Sequence, residues 1–178
     1  EYRELWGDIP IVLCSEENYL GPQETYTKKQ AIATADRTPL TQLADPYNMV
    51  LLYSNLYLDE NIQLICHIVP EIKKFIFIGD ARQINQTNNL DIRNKLKKTH
   101  PNVEYQFITP QDMTTNQLLD SLYFVDPKTT GVLFSSWFYK TTFAGNTSLV
   151  SNAHKLIGTT AAPYSLSIWR TSPKKTAE

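Results

Sequence analysis

The chain has 178 residues, 42% of them apolar and 20% charged, and its formal net charge is −1. A chain of this length buries about 70% of its unfolded surface and needs no disulfide or metal to hold a core, and its near-neutral balance gives no reason to expect nucleic acid or another polyanion as partner. No apolar run approaches the roughly 20 residues of a membrane helix, no basic-then-apolar leader is present, and Cys14 and Cys66 lack the C-x-x-C spacing of zinc and redox motifs.

The chain opens on Glu1 without Met, as expected of an excised or processed piece of a longer protein. Ile9 to Cys14 is a short apolar run with Pro10 near its start, where a missing N–H donor is tolerated, and it reads as a strand. Gly21 to Pro46 is polar without a core-facing period. Within it, Gln23 to Ala35 is an exposed helix or a loop, and a short helix around Leu40 to Ala44 precedes the stop signal Asp45-Pro46. This stretch reads as a connector or lid. Met49 to Tyr53 is a strand or hinge segment. Asp59 is the expected N-cap of a helix running to Val69, with Ile62, Ile65, Ile68 and Val69 on one face and Pro70 as its stop.

Phe75 to Ile78 is four consecutive apolar residues, too short for a helix with a polar face. A strand of a parallel sheet covered on both faces has this composition, and Gly79-Asp80 ends it. A helix from about Asn88 to Thr99 follows, with Leu90 and Leu96 facing the core. Its basic group Lys95, Lys97 and Lys98 is a solvated face rather than a nucleic-acid patch. Asn102 to Ile108 alternates with a period of two and belongs nearer the sheet edge. Thr114 or Thr115 caps a helix through Leu118, Leu119, Leu122 and Tyr123, and Gly131 to Ser135 is another apolar strand. Asn146 or Thr147 opens a helix to about Ile157, Ala161 to Leu166 is a weaker last strand, and Thr171 to Glu178 is a polar tail. The alternation of strands and helices from residue 48 defines the fold class as α/β, a three-layer αβα arrangement with a mainly parallel sheet. Both cysteines are expected to be buried free thiols, Cys14 at a strand end and Cys66 inside a helix.

Ligands of open α/β sheets sit beyond the carboxyl ends of the strands. At the first such end, Gly79-Asp80-Ala81 lacks the hydroxyl that a Gly-Asp-Ser nucleophile turn supplies, because Ala81 has no oxygen to attack with. A phosphoacceptor role for Asp80 needs an acidic pair on the first strand to hold magnesium, and Glu16-Glu17 is separated from the sheet by the connector. No dinucleotide or phosphate-loop glycine motif is present. His67, His100 and His154 lie on or beside helices without ligand spacing, and Asn85-Gln86-Thr87 and Asn146-Thr147-Ser148 fit the glycosylation sequon. No catalytic residue, metal ligand or cofactor is assigned.

The remaining composition is that of a binding site. Ser15, Glu16, Asn18, Asp80, Arg82, Gln83, Ser135, Ser136, Trp137 and Tyr139 stand at strand ends, followed by Ser165, Ser167 and Trp169. Hydrogen-bonding side chains mixed with rings suit a small polar ligand such as a sugar or an amino-acid derivative. Trp137, Phe138 and Tyr139 serve equally well as a simple cover for the sheet end.

The run NIQLICHIVPEIKKFIFIGD resembles the start of the second lobe of type I periplasmic-binding-protein-like domains, and WGDIPIVLCSEENY resembles the last strand of the first lobe. GVLFSSWFY and APYSLSIW resemble later strands whose ends face the cleft, and the pattern is similar to extracytoplasmic sensor regions of Bacteroides-type hybrid two-component histidine kinases. The resemblance implies that residues 1–54 hold the end of a first lobe plus a connector, that residues 55–170 form a second lobe, and that residues 171–178 are a tail. It implies a non-catalytic ligand-sensing domain on the periplasmic side of an inner-membrane protein, with Ser15, Glu16, Asn18, Asp80, Arg82, Gln83, Ser135, Ser136, Trp137, Tyr164 and Trp169 around the ligand. A homodimer is compatible with it, and membrane contact belongs to parts outside this chain. The alternatives are a solute-binding protein of an ABC importer and a small α/β enzyme using Asp80 or Glu16 as acid or base. Most of the first lobe is missing from the chain, which departs from the family in that respect.

Overall fold

The computed structural model describes residues 9–44, 47–53, 56–140, 147–149 and 165–167. Strand β1 (Ile11–Ser15) leads to β2 (Tyr19–Leu20), helix α1 (Gln23–Thr27), a 3-10 turn at Thr34–Asp36, β3 (Thr38–Pro39), α2 (Leu40–Ala44) and β4 (Met49–Tyr53). Then come α3 (Leu58–Ile68), β5 (Lys74–Ile78), α4 (Gln83–Thr99), β6 (Glu104–Ile108), α5 (Thr115–Tyr123) and β7 (Thr130–Phe134). Three short strands follow, β8 (Phe138–Lys140), β9 (Thr147–Leu149) and β10 (Ser165–Ser167).

The main sheet is parallel, with strand order β10-β7-β5-β6. Parallel pairing needs a crossover between strands, and helices supply it. From β5 the chain steps outward to β6 through α4, then returns past β5 to β7 through α5. Crossovers of one hand place those two helices on opposite faces when the direction of travel reverses. The core divides accordingly. Phe75, Phe77 and Leu133 pack with Ile62 and Ile65 of α3 and Ile92 and Leu96 of α4. Ile76, Ile78, Ile108, Val132 and Phe134 pack with Leu118 and Leu122 of α5. The fold is mixed α/β with parallel sheets and helices on both faces of the main one, and β6 is the edge strand its alternation calls for.

Local chemistry accounts for the helix ends. Thr114 caps α5 in a reciprocal box, its hydroxyl accepting from the Gln117 backbone N–H while Gln117 Oε1 accepts from the Thr114 N–H. Helix α3 begins differently from expectation. Tyr57, in the left-handed region at φ 44°, occupies the cap position, and Asn61 Nδ2 donates to the Leu56 and Tyr57 carbonyls. Asp59 sits in the first turn and accepts instead from Lys95 Nζ of α4 at 2.8 Å. Helix α4 starts at Gln83, five residues before the expected Asn88, because its first turns bury Asn85, Thr87 and Asn88 alongside Ile84. Buried polar side chains hide a helix from a search for apolar spacing. Leu90 is only half-buried, whereas Leu96 is in the core.

Strands β1 and β4 form a separate two-stranded parallel sheet, pairing Val12 with Val50 and Cys14 with Leu52. Period-two geometry puts these four side chains on one face, and it is open: Val12 is 61%, Val50 60% and Leu52 55% exposed. Cys14 is therefore exposed, contrary to its expected burial, and Cys66 in α3 is half-buried rather than enclosed. Burial pushes the Cys66 thiol up from its ordinary pKa. The expected helix from Asn146 or Thr147 is also corrected at its start, where Thr147–Leu149 is a strand antiparallel to β8. Its remainder, most of the expected strand from Ala161 to Leu166, His154 and the tail lie outside the described residues.

The connector between β1 and β4 is mostly exposed but carries apolar anchors in Ile32 and Leu40, both buried. A further attachment is Arg37, whose Nη2 donates to both carboxylate oxygens of Asp91 on α4 at 2.7 and 2.8 Å and to the Ile32 carbonyl, with the guanidinium 4.7 Å from the centre of the Tyr19 ring. The expected effect of Arg37→Ala is a stability loss of about 1–3 kcal/mol, with amide exchange rising first in residues 31–40 and not in β5. Arg37→Lys rescues little, because the planar guanidinium reaches Asp91 through Nη2 and the Ile32 carbonyl through both Nε and Nη2 while lying against the Tyr19 ring, a set of contacts that one ammonium does not replace.

Gly131 marks the closest approach of sheet and helix. A Cβ there would overlap the Ile65 side chain and come within 3.1 Å of Ile72 Cδ1. Ile65 is β-branched and enclosed, so it cannot turn away. Gly131→Ala is expected to cost about 1–3 kcal/mol. In urea unfolding, the double variant Gly131→Ala, Ile65→Ala is expected to lose less than the sum of the two single changes.

Candidate functional site

The strand order gives the main sheet one place where neighbouring strands leave in opposite directions, between β5 and β7, and in open α/β sheets that switch point is where ligands bind. Asp80 and Ser135 to Trp137 stand there, just past the two strand ends. Asp80 is 2% exposed. Its Oδ1 accepts from the Arg82 backbone N–H at 2.9 Å, Arg82 Nε at 3.0 Å and Asn85 Nδ2 at 2.8 Å, and its Oδ2 accepts from Ser136 Oγ at 2.7 Å and Arg82 Nε at 3.1 Å. Asn85, 0% exposed, also donates to Ser136 Oγ at 2.9 Å and accepts from Ser135 Oγ at 2.8 Å.

This network ties β5, the start of α4 and the end of β7 together through one carboxylate. Burial alone raises the Asp80 pKa, but the bonds donated by Arg82, Ser136 and Asn85 outweigh it and hold the carboxyl below the ordinary carboxylate range. Such a group stays charged at neutral pH, and its lone pairs are already engaged by fixed donors. It is built to hold strand ends in place; taking a proton requires first releasing a partner. Close packing completes the turn: a Cβ at Gly79 would meet Phe107 and Asn85 at 3.1–3.3 Å. The Asn85 sequon is closed by the same geometry, since the amide that would carry a glycan is enclosed and doubly bonded.

The expected site residues fall into groups. Asp80, Arg82, Ser135 and Ser136 come together in the network, with Asn85 as the member that sequence reasoning missed. Gln83 donates to Thr87 Oγ1, which also accepts the Ile32 N–H of the connector at 3.0 Å. Trp137 is turned inward, buried against α5 with its indole N–H donating to Thr115 Oγ1, so it covers the sheet end and offers no open ring. Tyr164 and Trp169 lie outside the described residues, as do the side chains of Tyr139, Ser165 and Ser167.

Ser15, Glu16 and Asn18 gather elsewhere. Ser15 Oγ accepts the Glu17 N–H, and Glu16 to Tyr19 line a small cleft of about 160 Å³ with Asn88 and Asp91 of α4. A larger open cleft of about 760 Å³ adjoins it, lined by Tyr57, Asp59, Asp91, Asn94, Lys95 and Lys98 among others. Burial raises the Glu17 carboxyl above its ordinary pKa, with Glu16 and Asp91 adding to the effect and Tyr19 and Arg37 opposing it. Sequence spacing held a signal for this wall: Asn88, Asp91, Lys95 and Lys98 recur every three to four residues along one side of a helix. Among the described residues no group of three or more His, Cys, Asp or Glu side chains is placed to share a metal ion, and no helix is long and apolar enough to cross a membrane.

The fold and site together define a mixed α/β protein with parallel sheets and a buried polar network at the switch point. No family model matches the chain, and no curated protein or solved structure matches it either.

Proposed function

We propose that the chain is part of an extracytoplasmic ligand-sensing domain of a two-component sensor histidine kinase, which binds a small polar ligand without transforming it. The observation that carries this reading is the division of the strands between two parallel sheets, β1–β4 and β10-β7-β5-β6. A two-lobed binding domain needs two such sheets, with strand ends that can face a common ligand. The β1–β4 pair supports the same reading, because an isolated parallel pair with an open apolar face calls for the rest of a lobe to cover it. The saturated Asp80 network suits a rigid wall that transmits ligand-dependent displacement better than it suits a proton shuttle.

The test is the gene encoding the chain. A membrane-spanning segment and a histidine-kinase core downstream are expected. A lipoprotein signal with no kinase downstream would transfer the reading to a solute-binding protein of an importer. Ligand identity is then found by thermal shift of the intact sensor region, where a ligand at a hundredfold excess over Kd stabilises by about 2.7 kcal/mol.

A further inference from the structure

Among the described residues two non-glycines hold a positive φ, and helix geometry accounts for only one of them. Lys29, at φ 52°, ends α1 in a Schellman turn, its N–H donating to the Tyr26 carbonyl and that of Gln30 to the Thr25 carbonyl. Tyr57, at φ 44° and ψ 40°, stands before the first turn of α3, where extended backbone is the rule. In this region Cβ crowds the following carbonyl oxygen, and glycine or asparagine is the usual occupant. Burial of the ring does not offset that crowding, since Tyr57 is 43% exposed. The conformation is imposed from inside, where the buried Asn61 donates from Nδ2 to the Leu56 and Tyr57 carbonyls.

The residue so placed lines the open cleft of about 760 Å³ beside α4, a size ordinary for ligand sites. Charge in the lining is balanced: Asp59 pairs with Lys95, Asp91 with Arg37, and Glu60 and Lys98 carry opposite signs. Neither sign of ligand charge gains a net attraction there. Hydrogen-bonding capacity remains, because Lys95 takes one of the roughly four acceptor positions of the Asp59 carboxylate and the exposed Asn94 both donates and accepts. Ring, carboxylate and amide together match a hexose, whose C–H face suits the negative face of an aromatic ring and whose hydroxyls both donate and accept.

We propose that this cleft binds a neutral oligosaccharide, with one sugar ring against Tyr57 and its hydroxyls bonded by Asp59, Glu60 and Asn94. The crowded backbone then serves to present the ring to a ligand instead of to the core. This rests on the ligand-binding part of the proposed function and moves the ligand from the strand ends to the side of α4.

Titration of the isotope-labelled 178-residue chain with maltotriose, cellotriose and mannotriose, followed by amide NMR, tests it. At least one sugar is expected to shift signals of residues 56–60 and 91–98, with an affinity unchanged between low and high salt. Tyr57→Phe keeps the ring and should bind as wild type. Tyr57→Asn should weaken binding about tenfold, the scale of one ring contact, while its Tm stays equal or rises because asparagine accepts this backbone. Silence of all three sugars at millimolar concentration overturns the proposal, as do a salt-dependent affinity and shifts confined to residues 80–83 and 135–137. Undiminished binding by Tyr57→Asn overturns it too, as does a lowered Tm, which would make the ring a packing group. An amino-acid mixture that raises the Tm while the sugars are silent overturns the saccharide and leaves small-ligand sensing intact. Sugar binding at Tyr57 with no kinase in the gene upholds this site and removes the sensor.

Discussion

Asp80→Ala is expected to lower stability by about 3 kcal/mol at pH 7, because the partly buried Ser136 loses its acceptor and the fully buried Asn85 loses one of two. For a chain of this size that corresponds to a Tm fall of roughly 6–12 °C. Arg82 contributes less to the loss, since its guanidinium is partly exposed and can hydrate. Asp80→Asn keeps the volume and separates charge from shape. The wild-type carboxyl has a folded pKa below its ordinary value of 3.8, so the folded state binds fewer protons than the unfolded state between the two values. Its contribution is therefore fully present above about pH 4 and lost as pH falls through the folded pKa. Urea midpoints measured from pH 7 to pH 2 are expected to show wild type and Asp80→Asn converging at the acid end. A gap that stays constant with pH would mean that the carboxylate's charge contributes nothing.

Phe77→Ala is expected to cost about 3–5 kcal/mol, a large share of the 5–15 kcal/mol by which domains are usually stable. Phe77 is fully enclosed and stacks on Phe107 with ring centres 5.2 Å apart, inside the cluster that joins α3 and α4 to the sheet. Helix α3 cannot follow the missing ring inward, because the close contact of Gly131 with Ile65 already sets the distance between α3 and the sheet. The cavity therefore stays open. Phe124→Ala is the matched control: that ring is exposed, and its removal should change stability by less than about 0.5 kcal/mol. Chemical denaturation of both variants distinguishes core packing from a general intolerance of aromatic loss.

What sequence alone determined about this protein is what neighbouring residues decide among themselves. The apolar run Phe75 to Ile78 and its Gly79-Asp80 end mark a buried parallel strand, the alternation in β6 marks an edge, and a threonine at 114 or 115 marks a helix start. Each rests on side-chain period or a hydrogen bond spanning three residues, so no distant partner is needed. Tertiary structure decided the rest. The acceptors of Asp80 find donors 2, 5 and 56 residues away, and Asn85 becomes a buried strut only because Ser135 and Ser136 arrive beside it. Trp137 points inward because Thr115 is there to take its N–H. Cys14 is exposed because β1 pairs with β4 in a sheet of its own instead of joining the larger one. Pairing between distant segments is set by which surfaces fit together once the chain is compact, and period and composition carry no record of that choice.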